Sequence, residues 1–338
     1  MEGYMKYVEL GKTGIKVSAL GFGGIPIQRI SADEVPALFD EMEALGINYV
    51  DSARGYSVSE EYIGNAIKGR REKFVLATKS MARDKASMAA DIEKSLANFR
   101  TDYIDLYQVH NPTPDQLKAV CAPGGALEAL EEAKAAGKIG HIGLTGHTLE
   151  IFDMALELPW VETFMFPYNI VETQCEDRLE ALAAQGKAFI CMKPLAGGAI
   201  ESAPAAMRFI AANKNITVCI PGVAEIKEIR QNCESYLDES PISPEEEAEF
   251  ARIRKELGTV FCRRCGYCAP CSVGINIPVV FTLAGYLERY GLADWAKERY
   301  ATQKATAADC IECGACESRC PYGLPIRELF KTISEEFR

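Results

Sequence analysis

No apolar run in this sequence reaches the roughly 18–20 residues that a membrane-spanning helix needs. The first residues, MEGYMKYVELGKTG, also lack the apolar stretch of a secretory signal. A cytoplasmic protein with no membrane partner is therefore expected. An excess of positive charge is missing too. Lys and Arg total 37 against 48 Asp and Glu, a net charge of −11. That balance argues against a nucleic-acid partner, because phosphate binding needs a basic footprint. Histidine is scarce, with only three copies, so each one can be weighed singly.

Cysteine is not scarce. There are 13, and eight crowd into the last quarter of the chain. In a reducing compartment, tight CxxC repeats point to metal rather than to disulfides. The first group is Cys262-x2-Cys265-x2-Cys268-x2-Cys271. The second is Cys310-x2-Cys313-x2-Cys316-x3-Cys320-Pro321, which matches the bacterial ferredoxin run. In that run three close thiolates hold one [4Fe–4S] cube and the fourth reaches the other. The crossing rule assigns Cys262, Cys265, Cys268 and Cys320 to one cluster, and Cys271, Cys310, Cys313 and Cys316 to the second. Two zinc sites of four cysteines each are the alternative, since CxxC pairs also suit zinc.

The 338 residues suffice for one large barrel and a small appendage. Short apolar strand-like runs alternate with amphipathic stretches. The runs are Ala19–Gly23, Tyr49–Ser52, Phe74–Thr78, Ile104–Val109, His141–Leu144, Thr163–Phe166, Phe189–Met192 and Val218–Ile220. Helical patterns follow them, among others at Asp84–Phe99, Gly125–Ala136 and Asp177–Gln185, with Ser31, Ser59 and Asp177 as cap-like openers. Eight such units predict a (β/α)8 TIM barrel, with an open doubly wound sheet as the alternative. A hairpin, Tyr7–Leu10 with Lys16–Ser18, is expected to plug the barrel's N-terminal end. The barrel is expected over 1–240. A linker helix and a ferredoxin-like α-helical domain are expected over 241–338, with helices near Pro278–Tyr290 and Ala293–Gln303.

Four polar residues sit at or just past strand C-terminal ends, where such barrels carry their chemistry. Asp51 ends the second run, in INYVDSARGY, and Tyr56 follows it. Lys79 ends the third, in FVLATKS, and His110 the fourth, in YIDLYQVHNP. These segments resemble the aldo-keto reductases, whose tetrad is Asp, Tyr, Lys and His in this order. The resemblance runs over about residues 5–235. The C-terminal module resembles the ferredoxin-like extension fused to some members, and its helical spacer is similar to that of α-helical ferredoxins. The resemblance implies a carbonyl or alcohol substrate, with Tyr56 as the general acid and base. Lys79 would lower the Tyr56 pKa, Asp51 would orient Lys79, and His110 would fix the carbonyl oxygen. His147, in GLTGHT, is a further candidate for lining the site, whereas His141 reads as structural.

The same resemblance implies an NAD(P)H site. Its expected contacts are Thr145, Asn169, Lys193, Pro194, Leu195, Gly222, Glu228 and Asn232. Gly146 stands where the family has a side-chain amide, and Met165 and Met192 replace a glutamine and an aromatic. Glu228 would repel a 2′-phosphate, which favours NADH. The GFGG stretch at Gly21–Gly24 is compatible with close ligand approach. A flavin, or electrons delivered by the clusters from a carrier protein, stays open. So does a redox-sensing or electron-transfer protein whose barrel only binds a ligand.

Overall fold

The computed structural model describes residues 5–258, 260–289 and 293–338. Met1–Tyr4 and Tyr290 lie outside the described residues. The chain divides into two units, one running to Ala196 and over Ile200–Glu256, the other comprising Gly197–Ala199 and Leu257–Arg338.

The first unit starts with the antiparallel hairpin β1 (Tyr7–Glu9) and β2 (Lys16–Ser18). Eight parallel strands follow: β3 (Phe22–Gly23), β4 (Tyr49–Asp51), β5 (Val75–Ser80), β6 (Ile104–Val109), β7 (Ile139–Thr145), β8 (Thr163–Pro167), β9 (Ala188–Met192) and β10 (Val218–Ile220). They are hydrogen-bonded in sequence order. Bridges from Leu20 to Cys219 and from Gly23 to Gly222 join β3 back to β10, so the sheet closes as a barrel. The open-sheet alternative is thereby excluded.

Among the described residues, nine helices accompany these strands: α1 (Val35–Ala44), α2 (Ser59–Ala66), α3 (Lys85–Phe99), α4 (Pro114–Cys121), α5 (Ala126–Ala135), α6 (Leu149–Glu157), α7 (Glu176–Ala184), α8 (Ala203–Ala211) and α9 (Ile226–Tyr236). A further helix, α10 (Pro244–Leu257), is held in the same unit. Its Phe250 ring meets Phe209, and Arg254 donates to the Ile170 carbonyl at 3.0 Å. The division between units thus falls at the C-terminal end of α10, between Glu256 and Leu257.

Inward-facing residues alternate along the strands, as the pleat requires. Tyr49, Val75, Ala77, Leu106, Met165, Ala188, Ile190, Val218 and Ile220 form one buried cluster with Leu10 and Val17 of the hairpin. The hairpin seals the end where β9 begins. Lys12 donates to the Gly186 carbonyl, and a Cβ on Gly11 would lie 2.6 Å from that oxygen.

The glycines of the GFGG stretch allow close packing against the neighbouring strand. A Cβ on Gly21 would meet the Tyr49 ring at 2.9 Å, and one on Gly24 the Asp51 carbonyl at 2.7 Å. Two cap expectations also change. Ser59 lies inside α2, its hydroxyl donating to the Gly24 carbonyl at 2.9 Å. Asp177 lies within α7 beside Arg178. Ser31 closes a turn with Glu34 just ahead of α1.

His141 is structural. Its Nδ1 bonds Glu162 at 2.6 Å, and Lys134 bonds the same carboxylate at 2.6 Å. Burial alone would raise the Glu162 pKa, but His141, Lys134 and the Ile142 N–H hold it at about 2 instead of 4.5. A depressed carboxylate stabilises the fold above its unfolded pKa, and that stability drains away as pH falls through the folded value. Urea unfolding at stepped pH should therefore show a loss of stability between 4.5 and about 2. Glu162→Gln should flatten that slope, and an unchanged slope would contradict the assignment.

The second unit contains α11 (Ile277–Arg289), α12 (Ala293–Ala301), α13 (Ala315–Ser318) and α14 (Ile326–Glu336). Its core gathers Ile275, Val280, Leu283, Leu324, Phe330 and Ile333, with six of the eight clustered cysteines packed partly buried or buried against it. Among the described residues no helix is long and apolar enough to cross a membrane.

Candidate active site

Continuing the inward alternation toward the strand C-termini brings the polar residues together. Two residues beyond Tyr49, Ala77 and Leu106 stand Asp51, Lys79 and Gln108, and His110 follows on the same face. Thr145 lies in register with Met165 on the far wall. The barrel mouth is thus polar because each strand places one more inward residue above the apolar layers.

The Lys79 ammonium bonds Asp51 at 2.5 Å and the Ser52 carbonyl at 2.7 Å. Both ionised side chains are buried. Burial pushes Asp51 up and Lys79 down, and their mutual attraction opposes both shifts. Gln108 approaches the other Asp51 oxygen at 3.5 Å. Tyr56 lies with its ring centroid 5.0 Å from the Lys79 nitrogen and 6.3 Å from the His110 ring.

One expectation is reversed. The Tyr56 pKa is raised, by burial first and then by the Asp51 charge. The Lys79 ammonium lies 5.0 Å from the ring centroid, with the Asp51 carboxylate against it at 2.5 Å. His110 is held well below its ordinary pKa by burial, then by Lys79, Arg83 and Lys193. Its imidazole is therefore neutral near pH 7.

The loop carrying Tyr56 is fixed by a buried network that the sequence reading missed. Arg54 bonds Glu60 at 2.5 Å, and its backbone N–H donates to the Lys79 carbonyl at 2.9 Å. Glu60 also accepts from Thr78, Ser95 and Asn98. His147 joins the site as well. Its Nδ1 bonds the Asn111 amide oxygen at 2.8 Å, and Asn111 donates its N–H to the Thr145 hydroxyl at 2.9 Å. Burial, Lys193, His110 and Lys79 hold His147 neutral. Gln108 could have been found by its even spacing from His110, and Asn111 by its adjacency to it.

The expected cofactor contacts divide. Thr145 is at the mouth. Lys193 has φ 55° and Ala196 φ 50° in a bent loop that includes the buried Pro194 and half-buried Leu195. The Lys193 charge is felt at both histidines. Asn169, however, spends its amide inside the protein, donating to Glu172 and the Lys193 carbonyl and accepting from Val171. It braces the Lys193 loop. Asn232 faces the barrel wall from α9, among Leu20, Phe22, Met42 and Ile47. Gly222 packs on Pro26, which a Cβ would meet at 2.8 Å. Glu228 folds over the start of α9, taking the N–H groups of Ala224 and Glu225 at 2.7 and 3.0 Å.

The cysteines sort into two cavities. One is lined by Cys262, Cys265, Cys268 and Cys320. The other is lined by Cys271, Cys310, Cys313 and Cys316. The last Cys of each run has crossed to the other group. All eight are free thiols. Burial pushes Cys262 up to about 11 and Cys268 up to about 12, so iron would have to displace their protons on binding. Among the described residues no three His, Cys, Asp or Glu converge on a single ion. A zinc ion would gather four sulfurs within about 2.3 Å of one centre. Two sets of four thiols supply the donor count of two cubes, four thiolates to each.

Residues 19–204 match the Aldo/keto reductase family, and residues 261–325 match a 4Fe-4S dicluster domain. The chain is 31% identical over 206 residues to the aldo-keto reductase YhdN of Bacillus subtilis, covering 54% of this chain and 60% of that one. It is 26% identical over 274 residues to L-galactose dehydrogenase of Arabidopsis thaliana, covering 66% and 85%. The holo structure of an aldo-keto reductase from Bacillus halodurans superposes with a TM-score of 0.64 at 25% identity, covering 74% of this chain and 96% of that one.

Proposed function

Because this chain belongs to the aldo/keto reductase family, an oxidoreductase family here joined to a 4Fe-4S domain, we propose that it reduces a small organic carbonyl, or oxidises the alcohol, using NADH. The observation that carries this reading is the convergence of Tyr56, the Asp51–Lys79 pair and neutral His110 at the barrel mouth.

A bound nicotinamide supplies or accepts the hydride. The chain's own residues do the rest. His110 and Tyr56 bracket the carbonyl oxygen with hydrogen bonds, and Tyr56 gives that oxygen its proton. The Asp51–Lys79 pair packs against the tyrosine ring, with the Lys79 ammonium 5.0 Å from its centroid, and so holds the phenol in position. Thr145 and Lys193 offer a donor and a charge to the cofactor's polar groups. Glu228, with Glu225 beside it, opposes a 2′-phosphate at the start of α9, which supports NADH over NADPH.

The two cysteine sets would hold two [4Fe–4S] clusters, Cys262/Cys265/Cys268/Cys320 and Cys271/Cys310/Cys313/Cys316. Cys313 is exposed, which suits electron exchange with a carrier protein. Thiolate-held clusters suit the reducing cytoplasm.

The test is nucleotide binding and turnover with the anaerobic, iron-loaded protein. NADH should bind at least about tenfold tighter than NADPH and be consumed when a small aldehyde is added. Binding of neither nucleotide overturns the reading. A flavin in the isolated protein, or cluster bleaching by NADH with no aldehyde turnover, would replace it with the electron-transfer alternative.

A further inference from the structure

The cavity lined by Cys262, Cys265, Cys268 and Cys320 also has Arg263 in its wall. Arg263 is only 8% exposed. Its guanidinium lies between two aromatic rings, 4.1 Å from the Phe261 centroid and 4.3 Å from that of Tyr322, and donates to the Phe261 carbonyl at 3.0 Å. Tyr322 lines the same cavity. This is an oriented, low-dielectric position for a group that is always charged. A rigid sandwich of this kind keeps the charge beside the cavity instead of letting it swing to water.

The other cavity is built differently. Arg319 and Arg327 line it, but Arg319 is exposed. Arg327 is paired with Glu317 at 2.6 Å. Arg319 also donates to the Cys268 and Pro270 carbonyls at 2.6 and 2.7 Å, and both arginines are exposed to water. A charge in an interior of effective ε about 20 acts roughly four times as strongly as one in water.

We propose that Arg263 sets the reduction potential of the cluster held by Cys262, Cys265, Cys268 and Cys320, raising it, and leaves the other cluster's potential alone. This rests on the two-cluster reading above. When a cube accepts one electron its net charge becomes more negative by one, so a fixed positive charge favours the reduced form. The effect is local because, of the two cavities, this one has the buried guanidinium in its wall. The cluster concerned belongs to the same unit as Gly197–Ala199, a segment only a few residues along the chain from Lys193.

The test uses the full-length, anaerobically purified protein and its Arg263→Met and Arg263→Lys variants. Iron and sulfide are counted first. Each protein is then titrated with dithionite under mediators, with the clusters followed by electron paramagnetic resonance and visible absorbance. Two one-electron steps are expected in the parent. In Arg263→Met one step should become at least tenfold harder, a fall of about 59 mV or more for one electron, while the other stays put. Arg263→Lys should retain most of the parent value. If Arg263→Met loses iron, Arg263→Gln keeps a donor for the Phe261 carbonyl without the charge and should show the same fall. Full iron with both steps unmoved in the neutral variants overturns the proposal. A parent protein with no iron overturns the cluster reading beneath it, which is a separate and recognisable failure.

Discussion

Tyr56→Phe is expected to lower kcat/KM for carbonyl reduction by about 10²–10⁴-fold, the usual worth of a positioned general acid. The iron content, helical signal and nucleotide affinity should not change. The substitution deletes one oxygen and keeps the ring that stacks near Lys79. The loop itself is tied by Arg54 to Glu60 and to the Lys79 carbonyl, so the geometry should survive. A pH profile separates this role from a packing role. Burial and Asp51 raise the Tyr56 pKa, so the phenol stays protonated and reduction should hold level up to about pH 10. Alcohol oxidation needs the phenolate, so its rate should climb with pH over the same span. The phenylalanine variant should lose both behaviours. Parent-like turnover in that variant would remove Tyr56 from the chemistry.

The barrel was legible because its signal is repetitive. Eight apolar runs at β-then-α spacing have few alternative arrangements, and all eight correspond to strands. The first is shorter than the run Ala19–Gly23, because Leu20 joins Cys219 only by a single bridge before Phe22–Gly23 pairs properly. The cysteine crossing was legible too, since the x3 spacing before Cys320 and its proline carries it. Less visible was anything that depends on how polar side chains choose among partners. Asn169 has the right address for a ligand contact, yet its neighbours Glu172, Val171 and the Lys193 carbonyl satisfy it first. Asn232 sits on the buried face of α9, which a one-dimensional match to a motif does not reveal. The direction of the Tyr56 shift comes from burial first and then from the Asp51 charge, and no spacing encodes burial.

The Asp51–Lys79 pair underlies the second large effect. Asp51 is 3% exposed and Lys79 1%. Removing one member strands the other charge in a dry site, which costs about 3–5 kcal/mol. Asp51→Leu and Lys79→Met should each destabilise the fold by that much. The double variant should cost clearly less than the sum, because replacing both members of a buried pair by apolar groups is often close to neutral. The single variants should also differ in sign with pH. In Lys79→Met the stranded Asp51 has a raised pKa, since burial already pushes it up with Lys79 present. Its folded state gains protons before the unfolded chain does, so stability should recover as pH falls toward about 4. In Asp51→Leu the stranded Lys79 has a lowered pKa. Stability should recover there as pH rises toward about 10.4, where the unfolded lysine also loses its charge. Urea unfolding of the four proteins across pH measures all of this, and carbonyl reduction in the same samples completes the argument. If the pair were only a packing device, the double variant would regain turnover along with stability. The expected result is a double variant that folds nearly as well as the parent and still fails to reduce its substrate. Additive destabilisation with no opposed pH trends would mean that the two side chains are not coupled as an ion pair.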